Sequence, residues 1–167
     1  MPKATDVVLL DGARTPFGAF MGGLSGLTVT QLAAHAARAA LDRAAVPAAQ
    51  VDGVCFGNVI QSAADTPYLA RHVGLEVGVP EHTPALVVNR ACGSGLEAVL
   101  HAARAIMVGE AQCVLAGGAE NMSEVPHALR GARRKARFGQ PPKMDDVLAS
   151  ALYDAKAGCS IGQTVEH

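Results

Sequence analysis

The residues best suited to do chemistry lie in one short run, Asn89-Arg90-Ala91-Cys92-Gly93-Ser94-Gly95. It follows an apolar stretch, Pro84 to Val88, that reads as a strand. It precedes Leu96 to Val108, whose apolar residues recur at helical spacing. A strand that passes through a tight turn into a helix leaves the turn at the helix N-terminus, where unpaired N–H groups and the macrodipole favour negative charge. A cysteine held there is stabilised as the thiolate, the form that attacks an electrophilic carbonyl. Gly93 and Gly95 keep the approach open, and the N–H groups of the turn are placed to hold a developing oxyanion. Cys92 is therefore the candidate nucleophile. The same residues admit a rival reading, because Gly93-Ser94-Gly95-Leu96-Glu97-Ala98 fits the G-x-G-x-x-G/A pattern of a dinucleotide site. Against it, Glu120 falls further on than the roughly 20 residues that fingerprint asks of its acidic partner, and the turn carries a cysteine where a clean glycine loop belongs.

The other reactive side chains are weaker candidates. A cysteine in a globular protein is most often a small buried hydrophobe. That is the expectation for Cys55 and Cys113, which sit in apolar runs, while Cys159 follows a glycine and is expected to be more exposed. None of the six histidines pairs with a second ligand at metal spacing. His101 shares a polar helix side with Glu97 and Arg104, which predicts a surface position, and His127 is a minor candidate for approaching the Cys92 site. Arg130, Arg133, Arg134, Lys135, Arg137 and Lys143 form a basic cluster in a stretch without acids. Such runs are usually solvated, and Phe138 as the lone aromatic nearby argues against RNA.

The elements that would carry these residues alternate. Asp6 to Leu10 and Val51 to Ile60 read as strands before Pro84 to Val88, and Gln112 to Ala116 reads as one after it. Residues 12–28 are glycine-rich and read as a loop. Thr30 is a plausible cap for a helix running to about Ala45, with Leu32, Ala36, Ala39 and Ala40 on its apolar side, and Thr66-Pro67 opens a short helix. In the helix after the turn, Leu96, Val99, Leu100, Ala103 and Ile106 make the apolar face. Strand, helix, strand in succession predicts an α/β domain with a mainly parallel sheet flanked by helices. The character changes after Met122, and Gln163 to His167 looks like the start of a helix.

The chain of 167 residues is long enough for a core; half of it is apolar and 17% is charged. With two Tyr, four Phe and no Trp, that core must be aliphatic. A net charge of -1 gives no reason to expect nucleic acid or an anionic membrane as partner. The start, Met1-Pro2-Lys3-Ala4-Thr5-Asp6, is unlike a signal peptide, and no stretch approaches membrane-span length. Four cysteines at irregular spacing, with no C-x-x-C pair, suit free thiols in a reducing compartment, so a cytoplasmic protein is expected.

Several blocks, in order, resemble the thiolases, the acetyl-CoA acetyltransferases and 3-ketoacyl-CoA thiolases. They are Gly12-Ala13-Arg14-Thr15-Pro16-Phe17-Gly18-Ala19-Phe20, Phe56-Gly57-Asn58-Val59-Ile60-Gln61, the run from Asn89 to Val99, and Ala116-Gly117-Gly118-Ala119-Glu120-Asn121-Met122-Ser123. Gly158-Cys159-Ser160-Ile161-Gly162-Gln163-Thr164-Val165-Glu166 is similar to a divergent copy of the family's Met-Gly-x-Thr-Ala-Glu segment. The resemblance implies a layered thiolase-like α/β fold, of which this is the N-terminal half. Residues 1–125 would form the N-terminal domain and residues 126–167 the start of the loop domain. It implies acyl transfer through a Cys92 thioester, with coenzyme A thioesters as substrates, no separate cofactor, and assembly as a homo-oligomer (dimer or tetramer). The family's base cysteine in Cys-x-Gly-Gly-Gly, its Gly-His-Pro histidine and its Asn-Glu-Ala block do not occur in these residues. The expectation is therefore that this chain alone does not turn over. A non-catalytic acyl-CoA-binding or partner subunit is the alternative. No substrate-binding residue is assigned.

Overall fold

A computed structural model of the chain describes residues 6–133, 139 and 141–166. The first regular element is helix α1, Val29–Ala44. Its start is set by Thr28, not by the expected Thr30. The Thr28 hydroxyl accepts from the Gln31 N–H, and the Gln31 side chain accepts from the Thr28 N–H, a reciprocal cap that satisfies two donors the helix cannot. Thr30 lies inside the first turn, buried, its hydroxyl without a partner. The buried face is Val29, Ala33, Ala34 and Ala37, turned from the predicted side. Leu32, Ala36 and Ala40 line an open groove instead. An alanine-rich helix has little side-chain contrast to fix its phase in advance, so packing decides it.

Three strands form a parallel sheet in the order β2-β1-β3: β1 Gly53–Gly57, β2 Ala85–Val88 and β3 Val114–Gly118. A turn of 3-10 helix, Thr66–Tyr68, leads into α2, Leu69–Glu76, which connects β1 to β2, and α3, Ser94–Met107, connects β2 to β3 across β1. The two connections run in opposite directions along the sheet. Right-handed crossovers therefore put α2 and α3 on opposite faces. β1 shows the consequence: Val54 and Phe56 join the cluster with Val29, Ala33 and Ala37 of α1 and Leu69, Ala70 and Val73 of α2, while Gly57 lies against the start of α3. Leu69 and Val73 are fully buried, and each such side chain contributes about 1.5–3 kcal/mol.

The predicted strand at Asp6 to Leu10 does not form. This segment is irregular, with Val8, Leu9 and Leu10 exposed. An apolar run becomes a strand only with a partner, and none of the described strands pairs with it. The described residues from His127 onward form smaller units. β4, His127–Arg130, pairs antiparallel with β5, Lys143–Asp146. A short helix α4, Val147–Ala151, is capped by the Asp146 carboxylate, and β6, Tyr153–Asp154, pairs with β7, Cys159–Ser160, before α5, Ile161–Glu166. No helix among the described residues is long and apolar enough to cross a membrane.

Candidate functional site

All three strands of the parallel sheet point their C-terminal ends the same way, so the loops after β1, β2 and β3 meet at one edge. The loop after β2 carries Cys92, which is exposed. The chain reverses there because Ala91 adopts φ 47, a left-handed conformation that costs an alanine about 1–2 kcal/mol. Hydrogen bonds hold it. Asn89 Oδ1 accepts from the Ala91 N–H at 3.1 Å. Ser94, nearly buried, accepts the Arg90 N–H at 2.7 Å and donates to the Ala91 carbonyl at 2.6 Å. Helix α3 begins at Ser94, with Gly93 as its N-cap and no side-chain cap. Cys92 thus projects outward just before a helix N-terminus, as the turn predicts.

Not every N–H of the turn is available to a developing oxyanion. The N–H groups of Gly93 and Ser94 are engaged by the carbonyls of Arg90 and Ala91, so these two are not free to hold an oxyanion. The glycines serve packing instead. A Cβ on Gly57 would lie 2.4 Å from the Ser94 carbonyl carbon, and one on Gly118 would lie 3.1 Å from the Gly95 Cα. The paired ends of β1 and β3 must be bare for the Cys92 turn to settle on them. The apolar face predicted for α3 is also corrected. Ser94, Ala98 and Ala102 are its buried residues, whereas Leu96 is 66% exposed and Leu100 is exposed as well. The bare glycines Gly57 and Gly118 let the start of α3 approach the sheet closely, and the helix turns its small residues toward it. His101 is exposed, as its pattern predicts.

The loops after β1 and β3 brace the turn. Glu120 accepts from the Asn58 side-chain amide at 2.9 Å and from the N–H groups of Val59 and Ile60 at 3.0 and 3.3 Å. Burial pushes its carboxyl above the usual range, although these donors pull the other way. Asn121 donates to the carbonyls of Ser25 and Leu27 and ties the glycine-rich loop to the same edge. Sequence reading missed Asn89, Ser94, Asn58 and Asn121 as positioning groups and met Glu120 only as a dinucleotide ligand. The one available signal was a set of small amide and hydroxyl residues flanking glycine turns.

Cys55 is buried, and burial, with the Glu97 charge adding, raises its thiol to about 11. Cys113 and Cys159 are half-buried; burial and then the Asp52 charge raise the Cys113 thiol. His127 is exposed in β4, in register with Asp146, and forms no hydrogen bond with the Cys92 turn. Arg130 pairs with Asp145 across the hairpin at 2.7 Å. Lys143 is exposed in β5 and Arg133 lies in the turn after β4, while Arg134, Lys135 and Arg137 lie outside the described residues. A groove of about 780 Å³ runs along β3, α1 and residues 8–20, and Cys92 is not part of its lining.

Fold and turn define an α/β protein that presents a cysteine at the carboxyl edge of a parallel sheet. Residues 7–167 match the family model for the thiolase N-terminal domain, and the chain belongs to the thiolase family. It is 44% identical over 161 residues to a mitochondrial 3-ketoacyl-CoA thiolase of Homo sapiens, covering 96% of this chain and 41% of that protein. It is 41% identical over 163 residues to an acetyl-CoA acetyltransferase of Cupriavidus necator, covering 98% and 41%. The crystal structure of human mitochondrial 3-ketoacyl-CoA thiolase in complex with CoA superposes with a TM-score of 0.89 over 95% of this chain and 42% of that one, at 44% identity. A Bacillus anthracis acetyl-CoA acetyltransferase gives a TM-score of 0.87 over 95% and 40%, at 32% identity. The chain thus spans about two fifths of the length of the relatives it matches.

Proposed function

We propose that this chain supplies the nucleophilic half of a thiolase-type acyl-CoA C-acyltransferase, with Cys92 as the acyl carrier. The observation that carries the reading is the exposed Cys92 on a strained turn at the start of α3, in a chain of this family. The Cys92 thiolate attacks the thioester carbonyl of an acyl-CoA. The new S–C bond forms through a tetrahedral oxyanion, the bond to the coenzyme A sulfur breaks, and coenzyme A leaves as the thiolate. The relatives named for acetyl-CoA acetyltransferase and 3-ketoacyl-CoA thiolase activity support acetyl-CoA and 3-ketoacyl-CoA as substrates, and a relative's structure in complex with CoA supports coenzyme A as ligand. Coenzyme A thioesters suffice, with no further cofactor. Residues 1–125 act as the nucleophile-bearing domain and residues 126–167 open the loop domain. The working protein is a homo-oligomer of the cytoplasm, a compartment suited to four unpaired cysteines; the mitochondrial designation belongs to the relatives that carry it.

The condensing or cleaving step needs a second base, and the family's motifs for it are not among these residues. The chain by itself is therefore expected to acylate without turning over. The test is intact mass with peptide mapping before and after acetyl-CoA. One acetyl group on Cys92, lost in Cys92→Ser, is the expected result. A bare Cys92 under conditions that leave the protein folded overturns the reading in favour of a non-catalytic acyl-CoA-binding subunit.

A further inference from the structure

Glu120 forms no hydrogen bond with Cys92, yet a path of hydrogen bonds running through Val59 and Asn89 leads from it to Ala91, the residue before Cys92. Its Oε1 accepts from Asn58 Nδ2 and the Ile60 N–H, and its Oε2 accepts from the Val59 N–H. The Val59 carbonyl accepts from Asn89 Nδ2 at 3.3 Å, and Asn89 Oδ1 accepts from the N–H of Ala91, the residue at φ 47. We propose that Glu120 is a positioning residue for the reactive thiol: it fixes residues 58–60, which orient Asn89, which holds Ala91 in the conformation that turns Cys92 outward. The inference rests on the reading of Cys92 as the acyl acceptor.

The chemistry of the position favours a carboxylate. Three N–H donors converge on two oxygens of one side chain, and only a carboxylate answers all of them without presenting a donor of its own. A glutamine would point its NH2 at one of those N–H groups. The path is also directional. The amide of Asn89 uses its NH2 on Val59 and its oxygen on Ala91, so a shift of the Val59 carbonyl rotates the acceptor away from the strained residue. Glu120 sits at the end of β3 and Asn58 at the end of β1, two strands in fixed register, so the carboxylate refers the Cys92 turn to the rigid sheet.

The experiment uses the full chain in the assembly in which it is purified. It measures acetyl transfer from acetyl-CoA to Cys92 and alkylation of Cys92 by iodoacetamide, with peptide mapping that also reports Cys55 and Cys113. Glu120→Gln and Asn89→Ala are each expected to slow acetyl transfer about tenfold, equivalent to about 1.4 kcal/mol of lost positioning. The double variant should be no slower than the slower single one, because both act through one path. Asn89→Asp, which keeps the acceptor for Ala91, should recover part of the rate, and Cys55 and Cys113 should stay as protected as before. Unchanged Cys92 rates in Glu120→Gln, or effects that multiply in the double variant, overturn the inference. So does a gain in Cys55 alkylation, which would make Glu120 a general brace of the fold. If the unaltered protein takes no acetyl group, the acyl-carrier reading fails by itself, and the alkylation rates still decide the role of Glu120.

Discussion

Cys92 and Cys55 carry the same thiol in opposite surroundings. Cys92 stands in solvent at a helix start, whereas Cys55, 2% exposed in the middle of β1, is held as the neutral thiol by burial and by the Glu97 charge. The raised value has a consequence for stability. The folded state keeps the Cys55 proton up to about pH 11, while an unfolded chain gives it up near the ordinary value of 9.0. The unfolded state therefore binds fewer protons across that window, and folding stability falls as pH rises through it. Below the window Cys55 adds no pH dependence. The loss across it amounts to up to roughly 3 kcal/mol, from two units at about 1.4 kcal/mol each. Urea midpoints measured below and above the window should show this decline in the parent and a flatter profile in Cys55→Ala. Parallel profiles would mean that the thiol ionises in the fold as readily as in water.

The elements meet where glycines allow it. Gly57 ends β1 directly beneath the start of α3, and a methyl group there would sit 2.4 Å from the Ser94 carbonyl carbon and 2.6 Å from the Gly95 N, both backbone atoms that cannot rotate away. Gly57→Ala should therefore lift the start of α3 off the sheet and destabilise the protein by about 1–3 kcal/mol, as overpacking does. It should also lower the Cys92 acylation rate, because the lifted segment is the turn itself. Equilibrium unfolding and the acetyl-transfer rate check the two effects, and a folded Gly57→Ala protein of parental stability would show that α3 is not seated this way. This packing also shows what could be read in advance. The turn from Asn89 to Gly95 and the strand and helix flanking it were legible because their signals are local: apolar runs, glycines, helical spacing. The inner face of α3 was not, since large aliphatic residues outweigh alanine in any periodicity, and only the bare glycines of the two neighbouring strands make Ser94, Ala98 and Ala102 the right fit. The links from Glu120 to residues 58–60 were hidden for a different reason. They join segments some sixty positions apart, a proximity that the parallel register creates and no local pattern announces.

At the scale of the whole molecule the core lies on the α1 and α2 side of the sheet, and the surface beside it, along α1 and the β3 edge, is apolar and open. Leu9 and Phe17 are 83% and 93% exposed, with Val8, Leu10, Phe20 and Met21 beside them, along a groove that β3 and α1 also line. β3 is an edge strand of the described sheet, so its outer N–H and C=O groups have no ladder partner there. Exposed apolar surface next to a free strand edge is the combination that draws chains together. A polypeptide of these 167 residues, expressed alone, should self-associate at micromolar concentration, with sedimentation velocity showing species that grow with concentration. The double variant Leu9→Glu/Phe17→Glu places charge on two strongly exposed apolar positions of the groove without touching the core cluster. It should shift the distribution toward monomer while leaving the thermal midpoint of the sheet nearly unchanged, because neither side chain gives up burial. If the parent polypeptide is monomeric at those concentrations, the groove must close on itself in solution. Residues 8–20 would then be protected from proteases that the open groove admits.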